Sequence, residues 1–226
     1  MTITRGKRYR KLAENLSEAP MSLAEAVAKV KTFNSTKFDQ TVQLTFWLGI
    51  DPKQSDQIIR GAISLPHGIG QQKKVIAFCD GSEADAAKQA GAIEVGVDEL
   101  IAKVTGGWSD FDVAIASTKV MGKVGKLGRV LGPQGKMPSP KNGTVTADVA
   151  TAVREFAAGK VEFKNDMGGN VHVVVGKLSF DAQKLAENID AVVSHIKRIK
   201  PVSSKGTYIK KISLHAAMSP GVQITV

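Results

Sequence analysis

Apolar positions recur along this chain with two different periods, and the period changes from segment to segment. In residues 22–33 (SLAEAVAKVKTF), Leu23, Ala26, Val27 and Val30 fall three or four apart, behind a Ser22 that is followed three residues later by Glu25. That spacing predicts a helix with one apolar stripe, opened by a capping box. Residues 41–48 (TVQLTFWL) alternate instead. Val42, Leu44, Phe46 and Leu48 share one face and Thr41, Gln43, Thr45 and Trp47 the other, which predicts a half-buried strand.

The middle of the chain reads differently. Residues 75–79 and 113–116 are continuously apolar, and 93–95 begins a further strand. Helices are predicted between them: one opened by Ser82 and Asp85 and ending at Gly91, one over 98–103, and one over 148–157. Strands apolar on both faces that alternate with helices call for a parallel sheet covered on both sides. Towards the end, residues 161–164, 171–175 and 208–214 are strands around a helix running from Asp181 to about Lys200. With the first helix and strand they suit an antiparallel sheet with helices on one face. The predicted class is therefore α/β together with α+β, in two domains, with turn-rich crossings at 66–70 and 157–159.

Length agrees with two domains, since 226 residues exceed the ~150 taken as one domain. Charge changes the picture more. Lys and Arg number 31 against 21 Asp and Glu, a net +10, which points to a polyanionic partner. Residues 1–68 hold 10 basic and 6 acidic side chains, 69–155 hold 11 and 10, and 156–226 hold 10 and 5. The surplus thus sits in the two sequence-distant ends, as it would if they formed one docking face around an inserted middle; lysines spread over solvated surface are the other reading. Within the middle, residues 119–141 carry six cations and no acid, interleaved with Gly122, Gly125, Gly128, Gly132 and Gly135 and three prolines. Such spacing opposes a regular helix and predicts a shaped cationic loop.

Catalytic chemistry finds no foothold. None of the Gly-Lys pairs completes a phosphate-binding loop, and Gly68-Ile69-Gly70 precedes a strand where dinucleotide binding needs it to follow one. His67, His172, His195 and His215 lack metal-ligand spacing, so no metal or cofactor is expected. Asp110 and Asp112 would share a strand face, as exposed strand ends often do. The single cysteine, Cys79, lies in an apolar run and reads as a small buried hydrophobe, which also excludes a disulfide framework. No run approaches the ~18 apolar residues of a membrane span, so a soluble, cytoplasmic protein with no membrane partner is expected.

Several stretches carry a resemblance. Residues 48–68 (LGIDPKQSDQIIRGAISLPHG), 127–146 (LGRVLGPQGKMPSPKNGTVT), 163–166 (FKND) and 205–212 (KGTYIKKI), with 6–10 (GKRYR) and 35–42 (STKFDQTV), together resemble the bacterial L-one family of large-subunit ribosomal proteins over essentially the whole chain. The resemblance implies a discontinuous α+β RNA-binding domain at 1–67 and 160–226 and a Rossmann-like three-layer α/β domain inserted at 68–159. It implies a ribosome-associated structural protein, not an enzyme. Such a protein binds the stalk of large-subunit ribosomal RNA, assists release of deacylated transfer RNA from the exit site, and represses its own messenger RNA. A free-standing RNA-binding repressor and, less simply, a nucleotide-binding Rossmann enzyme are the alternatives.

Carried over residue by residue, the resemblance implies an RNA face of Lys37, Phe38 and Thr41, then Lys164, Asn165, Asp166 and His172, with Arg5, Lys7 and Arg8 on phosphates. Lysine and arginine neutralise phosphates, Phe38 can stack, and Thr41 and Asn165 can reach ribose hydroxyls; without the resemblance, Phe38 reads rather as a core residue of an amphipathic turn. Ala217, Met218 and Ser219 complete the face where the family usually has Thr-Met-Gly. The lost hydroxyl and the added Ser219 side chain are expected to weaken binding. Lys136 and Lys141 form a secondary basic loop, in which Gln134 replaces the family's usual arginine.

Overall fold

The computed structural model describes residues 5–14, 16 and 19–225; residues 1–4 and 226, the outer limits of the expected terminal domain, lie outside that range. In chain order the elements are α1 (Lys7–Glu14), α2 (Leu23–Thr32), β1 (Thr41–Leu48), β2 (Arg60–Ile63), β3 (Val75–Phe78), α3 (Ser82–Gln89), β4 (Glu94–Val95), α4 (Asp98–Thr105), β5 (Val113–Ser117), α5 (Met121–Val124), α6 (Gly128–Leu131), β6 (Val145–Thr146), α7 (Val149–Ala157), β7 (Val161–Lys164), β8 (Asn170–Lys177), α8 (Ala182–Arg198), β9 (Ile209–Ala216) and β10 (Val222–Ile224). They divide into two units, Met1–Gly70 with Phe163–Val226, and Gln71–Glu162.

The first unit is built on an antiparallel sheet in the order β10-β9-β1-β8. Alternation decides its two faces. Val42, Leu44, Phe46 and Leu48 of β1, Val171, Val173 and Val175 of β8, and Ile212, Leu214 and Ala216 of β9 are buried, beneath α2 and α8, which pack on the sheet. Each large side chain so buried contributes roughly 1.5–3 kcal/mol. Helix α8 matches with Leu185, Ile189, Val192 and Ile196, an apolar stripe of period 3.6. Helix α2 begins with the capping box: Glu25 N–H donates to Ser22 Oγ at 3.4 Å and Ser22 N–H to Glu25 Oε2 at 3.1 Å. Such a cap is worth about 1 kcal/mol. A separate two-stranded sheet pairs β2 with β7.

The second unit carries a wholly parallel sheet, order β4-β3-β5-β6. Helices α3 and α7 cover one side; Leu100 and Val104 of α4, with Val120, Val124, Leu127 and Leu131, cover Ile76, Phe78, Ala114 and Ala116 on the other. It is a three-layer α/β unit.

One expectation needs correction. Residues 121–131 form no loop: α5, a 3₁₀ turn over Gly125–Leu127, and α6 follow one another. The reason is an apolar stripe at Val120, Val124, Leu127 and Leu131, all buried, whose tertiary burial outweighs the glycine cost of about 1 kcal/mol per residue. A Cβ at Gly122, Gly125 or Gly128 would meet nothing within 4 Å. Helix α3 starts at Ser82, as expected, directly after Gly81, whose φ is 59°.

Candidate nucleic-acid interface

The face of the first sheet turned away from its helices is open. Strand register sets its rows: His172, Thr45, Ser213 and Gln223 lie side by side across four strands, flanked by a row of Val174, Gln43 and His215 and, at the far end, one of Asn170, Trp47 and Lys211. No side chain in these rows is a carboxylate. The pattern of odd positions in β1 pointed to this face, but Gln43, Thr45, Ser213 and His215 were not among the expected contacts. His172 Nδ1 lies 3.1 Å from Thr45 Oγ1. Burial, and then the nearby His172, holds the His215 imidazole below its ordinary value.

At the Thr41 end the loop between α2 and β1 is pinned from three directions. Gln40 Nε2 donates to the Phe33 carbonyl at 3.3 Å, the Leu178 amide donates to the Gln40 carbonyl at 2.8 Å, and Asp39 accepts from the Ser179 amide and hydroxyl at 3.1 and 2.7 Å. Held this way, the loop displays Lys37 and Phe38. Phe38 is 48% exposed, so it is not a core residue. Thr41 Oγ1 accepts from Lys177 Nζ at 2.9 Å, which adds a cation beside it.

Against this loop lies the turn after β9. The Ala217 amide donates to the Thr41 carbonyl at 2.9 Å, and the Ser219 amide closes onto the Ala216 carbonyl at 3.0 Å. Met218, 63% exposed, takes a φ of 64°, the positive value that the third residue of a type II turn requires. The left-handed residue is thus Met218, not Ser219. Ser219 does not project outward either. Its Oγ accepts from the Ala216 amide at 2.9 Å and donates to the Ala216 carbonyl at 3.0 Å, so the expected obstruction by this side chain is corrected: it braces the turn. Arg8 of α1 donates to the Met218 carbonyl at 3.3 Å, while Arg5 rests over Tyr9, 5.0 Å from its centroid, and Lys7 is exposed. Arg8, Thr41, Ala217, Met218 and Ser219 therefore form one linked cluster.

Lys164, Asn165 and Asp166 do not join it. They lie near the other end of the sheet, where the Leu48 amide reaches the Gly169 carbonyl at 3.0 Å. Asn165 is 7% exposed; its Oδ1 accepts from the Ile59 amide at 2.9 Å and its Nδ2 donates to the Asp166 carbonyl at 3.1 Å. Both ends of its amide serve the fold, which corrects the expected ribose contact. Asp166 Oδ1 accepts from the Gly168 and Asn170 amides at 2.8 and 2.7 Å; bonds from Asn170 hold its carboxyl below the usual range. It shapes the turn into β8. Lys164 is exposed, and His172 stands between the two groups, its Nε2 3.8 Å from Asp166 Oδ2.

In the second unit Lys136 is likewise occupied. Its ammonium donates to the Ser109 and Phe111 carbonyls at 3.0 and 2.5 Å and lies 4.9 Å from the Phe111 ring centroid, so it ties the basic segment to the fold and is not available as expected. Lys141 is exposed. Cys79 is buried, and burial pushes its thiol up to about 11.

The chain is similar to known proteins along almost its entire length. The model of the Ribosomal protein L1p/L10e family matches residues 30–220. Large ribosomal subunit protein uL1 of Cutibacterium acnes is 51% identical over 221 residues, covering 97% of this chain and 95% of that protein. The protein of the same name from a Nocardioides species is 49% identical, covering 97% and 92%; that of Beutenbergia cavernae is 51% identical over 222 residues, covering 96% and 92%. A match of this length and identity shows that the chain belongs to the ribosomal protein L1p/L10e family, a family of structural ribosomal proteins and not of enzymes.

Proposed function

We propose that this protein holds the folded stalk of large-subunit ribosomal RNA with the open face of its first sheet and the two turns at the Thr41 end. The observation that carries the reading is the face itself: rows of largely polar side chains without a carboxylate, beside Arg8, Lys37 and Lys177 and an exposed aromatic ring. Cations supply phosphate affinity, hydroxyls and amides suit ribose 2′-hydroxyls, and Phe38 offers a stacking surface. In this reading the terminal domain, expected at 1–67 and 160–226, is the RNA-binding one. From the same grip follow assistance to deacylated transfer RNA leaving the exit site and repression of the protein's own messenger, through an RNA fold like the stalk's.

Equilibrium binding to a stalk fragment tests this. Phe38→Ala is expected to weaken binding by about 1–3 kcal/mol, the range for base–aromatic stacking, whereas Lys136→Gln leaves the affinity unchanged. Equal effects of the two variants, or none from Phe38→Ala, contradict the reading. Repression is checked separately with a reporter fused to the chain's own leader, which should fall silent with the parent protein and recover with the Phe38 variant.

A further inference from the structure

The open face extends well past the cluster around Met218, and its far end has its own aromatic. Trp47 is 47% exposed there, six residues along β1 from Thr41, a span of about 20 Å for an extended strand. Leaving half an indole in water forfeits burial that a smaller polar residue would not miss. Register places Lys211 directly beside it on one side and Asn170 on the other.

The backbone is also adapted at this point. Pairing of β1 with β9 slips between Trp47 and Leu48, so that Trp47 faces Lys211 while Leu48 faces Ile209. Lys210 is the extra residue of that bulge, and such irregularities re-aim a side chain. Its ammonium lies 4.9 Å from the Trp47 ring centroid, covering at most one face of the ring. Beyond the strand end opens a cleft of about 640 Å³, lined in part by Lys205, Lys210, Thr207, Gln54 and Asp51. Asp51 is its sole carboxylate, and that group accepts from the Lys53 amide at 3.1 Å. The cross-strand neighbours and the covering residue of the indole, Lys211, Asn170 and Lys210, are cationic or amide side chains, not the apolar surround found at the buried core of a protein interface.

We propose that Trp47, Lys210 and Lys211 form a second RNA subsite, in which an unpaired base stacks on the indole and the two lysines neutralise the flanking phosphates. Every base presents a π-face, so stacking on an exposed sheet aromatic tolerates sequence, and lysine supplies charge without demanding a fixed geometry. The inference rests on the proposed RNA-binding role of the first unit and lengthens its footprint along the whole sheet.

The chain has two tryptophans, so Trp108→Phe makes Trp47 the only indole. In the full chain carrying that change, binding of a stalk RNA fragment and of a single-stranded adenine decamer is followed by anisotropy of labelled RNA and, in parallel, by Trp47 fluorescence. The expected result is saturable quenching that tracks the anisotropy isotherm. Trp47→Leu should weaken binding on the order of ten-fold with an unaltered salt slope, and Trp47→Phe by less. Lys210→Gln with Lys211→Gln should keep the quenching and lower the slope of log affinity against log salt by about 1.4, two phosphates' worth. Full binding with a silent indole and an unaffected Trp47→Leu variant overturns the subsite and leaves the Phe38 end standing. Absence of RNA binding by the parent overturns the proposed function and the subsite together. Release of Trp47→Leu from large subunits, with its RNA isotherm unmoved, assigns the patch to a protein contact and also overturns the proposal.

Discussion

Met218 combines two properties that a sequence shows only separately. It is a non-glycine residue with a φ of 64°, unique in this among the described residues, and its side chain is exposed on the proposed RNA face. A left-handed backbone costs an ordinary L residue about 1–2 kcal/mol. Met218→Gly should therefore stabilise the fold by up to about 1 kcal/mol, seen as a higher urea midpoint, while weakening RNA binding, because the substitution relieves the strain and also removes the side chain that would meet the RNA. A variant that loses stability as well would show that Met218 packs inward. Cys79 makes the opposite case. Buried, with its thiol pushed up to about 11, it should resist iodoacetamide at neutral pH in the folded protein and react on unfolding; rapid labelling under native conditions would contradict this. Burial of Cys79 was legible in its apolar neighbours. The brace made by Ser219 was not, because a serine next to proline can turn either way, and only the turn geometry of residues 216–219 decides it.

Among the elements, alternation, helical spacing and, for β5, an unbroken apolar run identified α2, β1, β5, α7 and α8, each of which buries a stripe or a whole strand. Helix α1 escaped notice because it has no buried residue to leave a periodic trace, and β2 and β10 are too short, at 4 and 3 residues, to show alternation. The stretch from Met121 to Leu131 misled through its glycines. Since a Cβ at Gly122 or Gly125 would stand in open space, Gly122→Ala and Gly125→Ala should each stabilise the second unit by about 0.5–1 kcal/mol, measurable by thermal or urea unfolding. Destabilisation would mean that these turns need glycine for a reason other than propensity. The α2–β1 loop owes its shape to Asp39. Asp39→Ala removes both bonds to Ser179 and should lower RNA affinity several-fold with the helical and sheet content unchanged, as read by far-UV circular dichroism.

At the scale of the molecule, family membership was legible from long ordered motifs, and the excess of cations in the two ends suggested where a polyanion would dock. What linear reading could not supply is which of the implied residues remain free. Asn165 and Lys136 have the right chemistry for RNA yet are spent inside the fold, while Trp47 and Lys210 carry the right chemistry in a place that only strand register makes visible. Protons add a whole-molecule effect. Burial holds both His195 and His215 below the ordinary 6.5, so the unfolded chain takes up protons that the folded chain refuses. The stability they contribute is present above about pH 6.5 and is lost as pH falls from there through the folded-state values. Urea midpoints should drop between pH 7.5 and 5.5, and the drop should shrink in His215→Asn; a midpoint that rises on acidification would reverse the assignment.

The central claim, an ionic and stacking grip on folded RNA by the first unit, is tested most directly by titrating the full chain with a stalk fragment across a salt series. Log affinity is predicted to fall linearly with log salt, by about 0.7–0.9 for each phosphate neutralised. Lys37→Gln should remove one such increment, while Lys141→Gln leaves the slope as it was. A flat salt response, or a slope that follows Lys141 and ignores Lys37, would contradict it.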